Sequence, residues 1–521
     1  MIDFLKDIFI INDYDFNSIL KTIFLYNEKS PLLFTGLYFW LFFAFVLFGY
    51  SFIYNKSKVR SFYLFFISLF FYYKSSGFFF FILIFSTLID FFLGKSIYLS
   101  SKKWVKKSLV AFSVVLNLGL LFYFKYAYFF VENMNSFFGT QLKVFNHFAF
   151  WANEAAGAQH FEVSQILLPV GISFFTFQTI SYSVDIYRGK IKPVNSIFDF
   201  GFYVSFFPQL VAGPIVRASE FIPQIHQPYN ISKKEFSTAL FFILNGLVKK
   251  LLVADYIAVN FIDRVFSNPQ VYTGFENLMA LVAYSLQIYC DFSGYTDIAI
   301  GIALLMGFRL NMNFNSPYKA KSVGEFWRRW HISFSTWLKD YLYIPLGGNR
   351  HGKFRTNVNL MITMLLGGFW HGASWQFVIW GALNGVGLIF YKFWRKISPY
   401  ENSNLWIVNV WKIFITFSFI TFTRIWFRAD SMETANMVIH RIANYFHPEL
   451  MLEMIVSYKN VFAIMLFGYI MHWLPSKFKE FYISLFDRSP IYLKAAYTVI
   501  IIIIVYQSIS SDLQPFVYFQ F

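Results

Sequence analysis

Residues 367–375 read GGFWHGASW, and they place His371 between Trp370 and Trp375 inside a run, Thr356 to Tyr391, that contains no Asp, Glu, Lys or Arg. An imidazole can take a proton from a hydroxyl and hand it to a leaving group, which is the work of a general base near neutral pH. Ionisable side chains inside an apolar span must be compensated by a hydrogen bond or a polar cavity, and they are functional by default. The alternative is a closely packed ring donating to a neighbouring carbonyl. Gly367, Gly368, Gly372 and Ala373 permit close helix approach or a local break at this point.

A second histidine stands in the richest polar interruption of the chain, Asn311–Arg355, which includes FNSPYKAKSVGEFWRRWHISFSTWLKDYLYIPLGGNRHG. The stretch 323–338 predicts a helix on which His331 shares a face with Trp327, Arg328 and Ser335. An interfacial amphipathic helix would explain that stretch. It would not explain Pro345, Gly347 and Gly348, which predict a broken helix whose freed backbone groups line a cavity. Arg328, Arg329, Lys339 and Arg350 are candidates for binding phosphate groups, and a cytoplasmic excess of basic residues accounts for them equally well. A further polar break is expected at CDFSGYTD, 290–297, where Asp291 and Asp297 would cap or hydrogen-bond a helix beneath the site. Neither histidine adjoins a G-x-S-x-G nucleophile elbow, so the sequence marks no serine nucleophile beside them.

These residues need elements to hold them, and composition says in which solvent. Among 521 residues 57% are hydrophobic, 14% are charged and 73 are phenylalanine. Apolar runs recur along almost the whole length, which excludes a soluble enzyme with one greasy core. The stretch LYFWLFFAFVLFGY, 37–50, is apolar on all sides, whereas an outer-membrane barrel would alternate. The reading is an all-α polytopic membrane protein of about 10–12 transmembrane or re-entrant helices. No repeat or linker divides residues 1–521, so one membrane domain is expected, with its motif-bearing core at about 165–390.

Charge placement orients the chain. The first thirty residues carry Asp3, Asp7, Asp13, Asp15 and Glu28 against Lys6, Lys21 and Lys29, while Lys56, Lys58 and Arg60 follow the first span. That predicts an extracytoplasmic N-terminus and a cytoplasmic linker, and no cleavable-signal pattern opens the sequence. The cluster SKKWVKK at 101–107 and Arg188, Lys190 and Lys192 then fall inside as well. A net charge of +16 is explained by basic residues gathered on one face of an anionic bilayer, and the short basic clusters match no nucleic-acid-binding signature. Cys290 is the single cysteine, which excludes an intrachain disulfide and a thiolate metal cluster; it reads as a packed small hydrophobe.

FWRRWHISFSTWLKDYLYIPLGGNR followed by GGFWHGASWQFVIWG resembles the membrane-bound O-acyltransferase superfamily, specifically the bacterial branch that contains the alginate O-acetyltransferase membrane subunit. Similar stretches upstream are LPVGISFFTFQTISYSVDIYRG at 168–189, FFPQLVAGPIVRASEF at 206–221 and YCDFSGYTDIAIGIALLMGFRLNMNFNSPY at 289–318. The termini depart most from the branch. The resemblance implies a ring of tilted helices around a tunnel, with the family's invariant histidine at His371 and its second important histidine at His331. It implies a cytoplasmic acetyl thioester donor, acetyl-CoA, with no permanently bound cofactor or metal. It also implies a polysaccharide acceptor beyond the membrane and an extracytoplasmic, membrane-tethered acetyltransferase partner, in a bacterial inner membrane. A related branch uses an acyl carrier protein and D-alanylates teichoic acid. A transporter or flippase of lipid-linked sugar and a non-catalytic export scaffold are the readings outside enzymology.

His371 is then the general base, and His331 orients the acceptor, polarises the thioester or relays protons. Arg328, Arg329, Trp330, Trp370, Asn349, Trp375 and Asp291 count as substrate-binding or supporting positions. The geometry expected is His371 lining the tunnel near its narrowest point, His331 facing the same cavity within about 10 Å, and the 345–348 break beside the cytoplasmic entrance.

Overall fold

The computed structural model describes residues 21, 23–27, 31–157 and 161–508; most of the acidic start used above for orientation lies outside them. The described residues form helices and no strands. Six helical stretches are long and apolar enough to cross a membrane, or eight if two bent pairs near the C-terminal end each count as one span. A shorter apolar helix, Leu37–Ser51, accompanies them. The chain is a multi-pass membrane protein, as its composition requires.

Eight helices position the site: α1 Lys103–Leu121, α2 Lys233–Leu247, α3 Gly274–Leu305, α4 Val323–Arg329, α5 Ile332–Leu338, α6 Gly352–His371, α7 Trp375–Ile397 and α8 Trp406–Arg428. Helix α3 is the central pillar. It starts at a capping box of Thr273 and Glu276, runs 32 residues, and has 94% of its apolar window buried inside the protein. By contrast the stretch Lys103–Phe138, which α1 opens, and α8 bury only 22% of theirs, so most of their apolar surface faces outward, toward lipid.

Two glycine-lined crossings fix the layout. Where α2 crosses α3, a Cβ on Gly246 would lie 2.5 Å from the Gly294 carbonyl oxygen, and one on Gly301 would lie 2.6 Å from that of Ala239. Where α6 meets α7, a Cβ on Gly368 would lie 2.4 Å from the Phe377 oxygen and one on Gly381 2.5 Å from that of Met364. Only residues without side chains let these backbones touch.

Two expectations about local structure are corrected. CDFSGYTD does not interrupt a helix: it lies within α3, and its glycine serves the crossing with α2. Residues 323–338 are not one helix but two seven-residue helices, separated by an extended Trp330 and a left-handed His331 at φ 43°. The shared helical face of His331 with Arg328 therefore does not form. Its cause is Asn313, whose backbone oxygen accepts the Ile332 N–H at 2.9 Å and whose Oδ1 accepts the Ser333 N–H at 3.1 Å. Those bonds replace the helical partners that the first turn of α5 would otherwise need.

Candidate active site

His331 is fully buried at the start of α5. Its Nδ1 lies 3.2 Å from Asn313 Oδ1. Because a backbone N–H can only donate, the Asn313 atom facing Ser333 must be the oxygen, and His331 Nδ1 must donate to it. The lone pair of this tautomer then sits on Nε2. The ring packs edge-on against Phe292 at 4.6 Å and stacks on Phe334 at 5.0 Å.

His371 is the last residue of α6 and is also buried. Trp370, Trp380, Phe334 and Phe427 surround it at centroid distances of 5.0 to 5.4 Å. Helix α6 ends there because Gly372 is extended, and a Cβ at 372 would collide with the Phe377 ring at 2.0 Å. The helix's last carbonyls are held by an ammonium group: Lys125 Nζ donates to Trp370 O at 2.8 Å and His371 O at 3.0 Å. A cation at a helix C-terminus satisfies orphan carbonyls and offsets the negative end of the dipole. Lys125 stands on a π-helical turn, Phe122–Tyr126, that continues α1.

Phe334 lies 5.0 Å from the His331 centroid and 5.4 Å from that of His371, so the two imidazoles are no further apart than those lengths laid end to end. Trp370 touches both rings as well. His371 lines a small cavity of about 10 Å³, room for one water centre, together with Trp330, Trp380, Asn384, Arg424 and Phe427. His331 reaches this region through the aromatic layer and does not line that cavity.

The other sequence candidates separate into groups. Trp330 and Trp370 are buried beside the histidines. Arg329 pairs with Glu325 at 2.8 Å, while Arg328, Lys339 and Arg350 are exposed. Asp291 and Asp297 lie on α3 and bind lysines of the neighbouring element: Lys250 Nζ is 2.5 Å from Asp291, and Lys249 Nζ is 2.7 Å from Asp297. Phe292, next to Asp291, is the residue that reaches His331. Asn349 is exposed, and so is Trp375, whose Nε1 donates to Asn133 at 3.0 Å. The 345–348 break is a turn in which Gly347 and Gly348 take φ of 106° and 55°, tied to α6 by Asn359 Nδ2 donating to Gly348 O at 2.9 Å. Cys290 is buried in α3.

Sequence reasoning missed Lys125, Asn313, Phe334, Asn384 and Arg424. Two had a readable signal: Arg424 is a cation inside an apolar helix, and Asn384 is an amide in the charge-free run around His371. The contact of Lys125 joins residues 245 positions apart in the chain, which no local pattern displays.

Comparisons with known proteins agree with this architecture. The chain is 43% identical over 325 residues to the probable alginate O-acetylase AlgI of Pseudomonas aeruginosa, covering 62% of this chain and 58% of that relative. It is 36% identical over 380 residues to the peptidoglycan O-acetyltransferase of Helicobacter pylori, covering 68% of each. The teichoic acid D-alanyltransferase of Bacillus subtilis is more distant, 28% identical over 264 residues, covering 48% of this chain and 65% of the relative. The chain thus spans little more than half the length of the alginate-type relatives. The model of the membrane-bound O-acyltransferase family matches residues 104–428, a stretch that begins in α1 and ends with α8 and contains both histidines. With its family model covering more than half of the sequence, the chain belongs to the membrane-bound O-acyltransferase family.

Proposed function

We propose that this protein is an O-acetyltransferase of a bacterial inner membrane that moves acetyl groups from cytoplasmic acetyl-CoA to hydroxyls of an extracytoplasmic polysaccharide. The observation that carries the reading is His371: a buried imidazole with its backbone fixed by Lys125, lining a cavity beside a second buried histidine. His371 accepts the proton of the attacking hydroxyl. The hydroxyl oxygen bonds to the acyl carbon, the C–S bond of the thioester breaks, and the departing thiolate receives the proton from the imidazolium. His331, held as the Nδ1–H tautomer, presents Nε2 to orient the acceptor or relay protons. The acyl group reaches the glycan with the help of an extracytoplasmic, membrane-tethered acetyltransferase partner. The names of the relatives support acetyl as the group and a cell-envelope glycan as the acceptor, since the O-acetylating relatives are more similar than the D-alanylating one.

The test is incubation of membranes containing the protein with acetyl-CoA labelled in the acetyl group, with and without the products of adjacent genes. Label passing to glycan is the expected result. Failure with acetyl-CoA beside success with a D-alanyl carrier protein would move the protein to the teichoic acid reaction. Movement of an unmodified lipid-linked sugar with no acyl transfer would make it a transporter.

A further inference from the structure

Arg424 lines the cavity of His371 from the last turns of α8. It is 4% exposed, and among the described residues it has no carboxylate partner. Both of its hydrogen bonds leave from one nitrogen, Nη1, to neutral oxygens: Ser285 O at 3.0 Å and the Tyr318 hydroxyl. Trp330 and Tyr318 flank the guanidinium at 4.7 and 5.2 Å, so ring faces hold the charge where a counter-ion would ordinarily stand. A guanidinium carries five N–H donors, and those of Nε and Nη2 remain for the cavity.

Asn384 supplies a second and independent sign of a ligand. It is 1% exposed and lines the same cavity. Its Nδ2 donates to Trp380 O at 2.9 Å, which fixes the amide, and its Oδ1 is buried without a hydrogen-bond partner. Such an atom is costly unless something with an O–H or N–H visits it.

We propose, resting on the acyl-transfer reading, that Arg424 binds the carbonyl oxygen of the acyl group and selects uncharged acyl groups over aminoacyl groups. As the acceptor oxygen bonds to the acyl carbon, the carbonyl electron pair moves onto oxygen, and the guanidinium N–H groups stabilise that oxyanion until the C–S bond breaks. His371 takes the proton of the attacking hydroxyl, and Asn384 Oδ1 accepts from a neighbouring hydroxyl of the same acceptor, which orients it. The same fixed charge opposes an acyl group that carries an ammonium, because like charges in a desolvated site repel strongly.

The test uses the full-length protein in membranes with three donors on one carrier: acetyl-CoA, propionyl-CoA and glycyl-CoA. Propionyl and glycyl are nearly isosteric and differ by a methyl against an ammonium. CoA release and acyl label on glycan are both measured. The wild-type protein is expected to use propionyl-CoA roughly a hundredfold better than glycyl-CoA. Arg424→Gln should lose about 10²-fold in acetyl turnover and bring the propionyl-to-glycyl ratio close to one. Arg424→Lys keeps the charge without the fork, so it should lose turnover and retain the ratio. A ratio unchanged in Arg424→Gln, or an equal loss with all three donors, would show a merely structural arginine and overturn the proposal. If the wild-type protein uses none of the three, the same acyl groups are presented on an acyl carrier protein. Transfer there moves the donor assignment and leaves the ratio test in place, and no transfer from either carrier overturns the acyl-transfer reading and this proposal together.

Discussion

The α2–α3 and α6–α7 crossings use the same device and keep opposite company. Each brings two backbones into contact through glycines. Beside the first, the buried charges are paired: Lys250 lies between Asp291 at 2.5 Å and Asp255 at 2.7 Å, and Lys249 meets Asp297 at 2.7 Å. Beside the second, His371 and Arg424 share a cavity without a carboxylate among its lining residues. Paired charge in low dielectric is a finished structure, because its attraction is already spent on the partner. Charge held only by aromatic faces and neutral oxygens keeps its interaction energy for a ligand. The difference separates a pillar from the proposed reaction site within one bundle.

The sharpest way to break the comparison is to remove the proposed base. His371→Ala should lower acyl transfer by at least about 10³-fold, with protein amount and detergent melting close to wild type. His331→Ala should lower it by roughly 10²-fold, through loss of the Asn313-held ring. Near-normal turnover in a folded His371→Ala protein would remove the proposed function.

Lys250→Met inverts the outcome. It leaves Asp291 and Asp255 facing one another without their cation, and breaking a buried pair costs about 3–5 kcal/mol. The expected result is loss of folded protein, read by gel filtration of detergent extracts, with whatever folds still turning over. A Lys250→Met variant that is stable yet inactive would place this cluster in the chemistry rather than the scaffold.

The glycines give a paired test of intermediate size. Gly294→Ala puts a methyl 2.8 Å from Gly246 O, and Gly368→Ala puts one 2.4 Å from Phe377 O. Both should cost about 1–3 kcal/mol through overpacking. Only Gly368→Ala, three residues before His371, should also depress turnover of the protein that remains folded, by about tenfold.

The sequence displayed the membrane class and the two histidines because both depend on local pattern: long apolar runs, and ionisable residues where none belong. It misled at 323–338 and 290–297, where the outcome is set by partners distant in the chain. Asn313 breaks the first helix, and α2 packs against the glycine of the second. Pairing of Asp291 with Lys250 and of Asp297 with Lys249 is likewise invisible until two helices cross. Aromatic neighbours in motif sequence part in the fold: Trp370 turns inward, while Trp375, five residues on, stands outside.

Lys125 links the two kinds of charge, since it is an ammonium satisfied by backbone carbonyls rather than by an acid. Lys125→Met should cost about 1–2 kcal/mol, the range for a cation at a partly buried helix C-terminus. Turnover should fall by roughly tenfold as the His371 ring loses its fixed backbone. Lys125→Arg should restore part of both, which an unrelated folding defect would not do.

The smallest effect is expected where motif proximity and structural position disagree most. Trp375 starts α7 on the surface, half exposed, with its Nε1 donating to Asn133 and its ring 5.7 Å from Phe129. Trp375→Phe removes one exposed hydrogen bond, worth about 0.5–1.5 kcal/mol at most, and preserves the aromatic contact. Acetyl turnover should therefore stay within about twofold of wild type, as surface substitutions generally do. Asn349→Ala, exposed in the 345–348 turn region, should behave alike. If Trp375→Phe instead changes the apparent KM for the acceptor while leaving that for acetyl-CoA alone, the exposed start of α7 lies on the acceptor's path. The functional region would then extend from the buried cavity to this surface, and the contrast between pillar and site would have to be redrawn along α7.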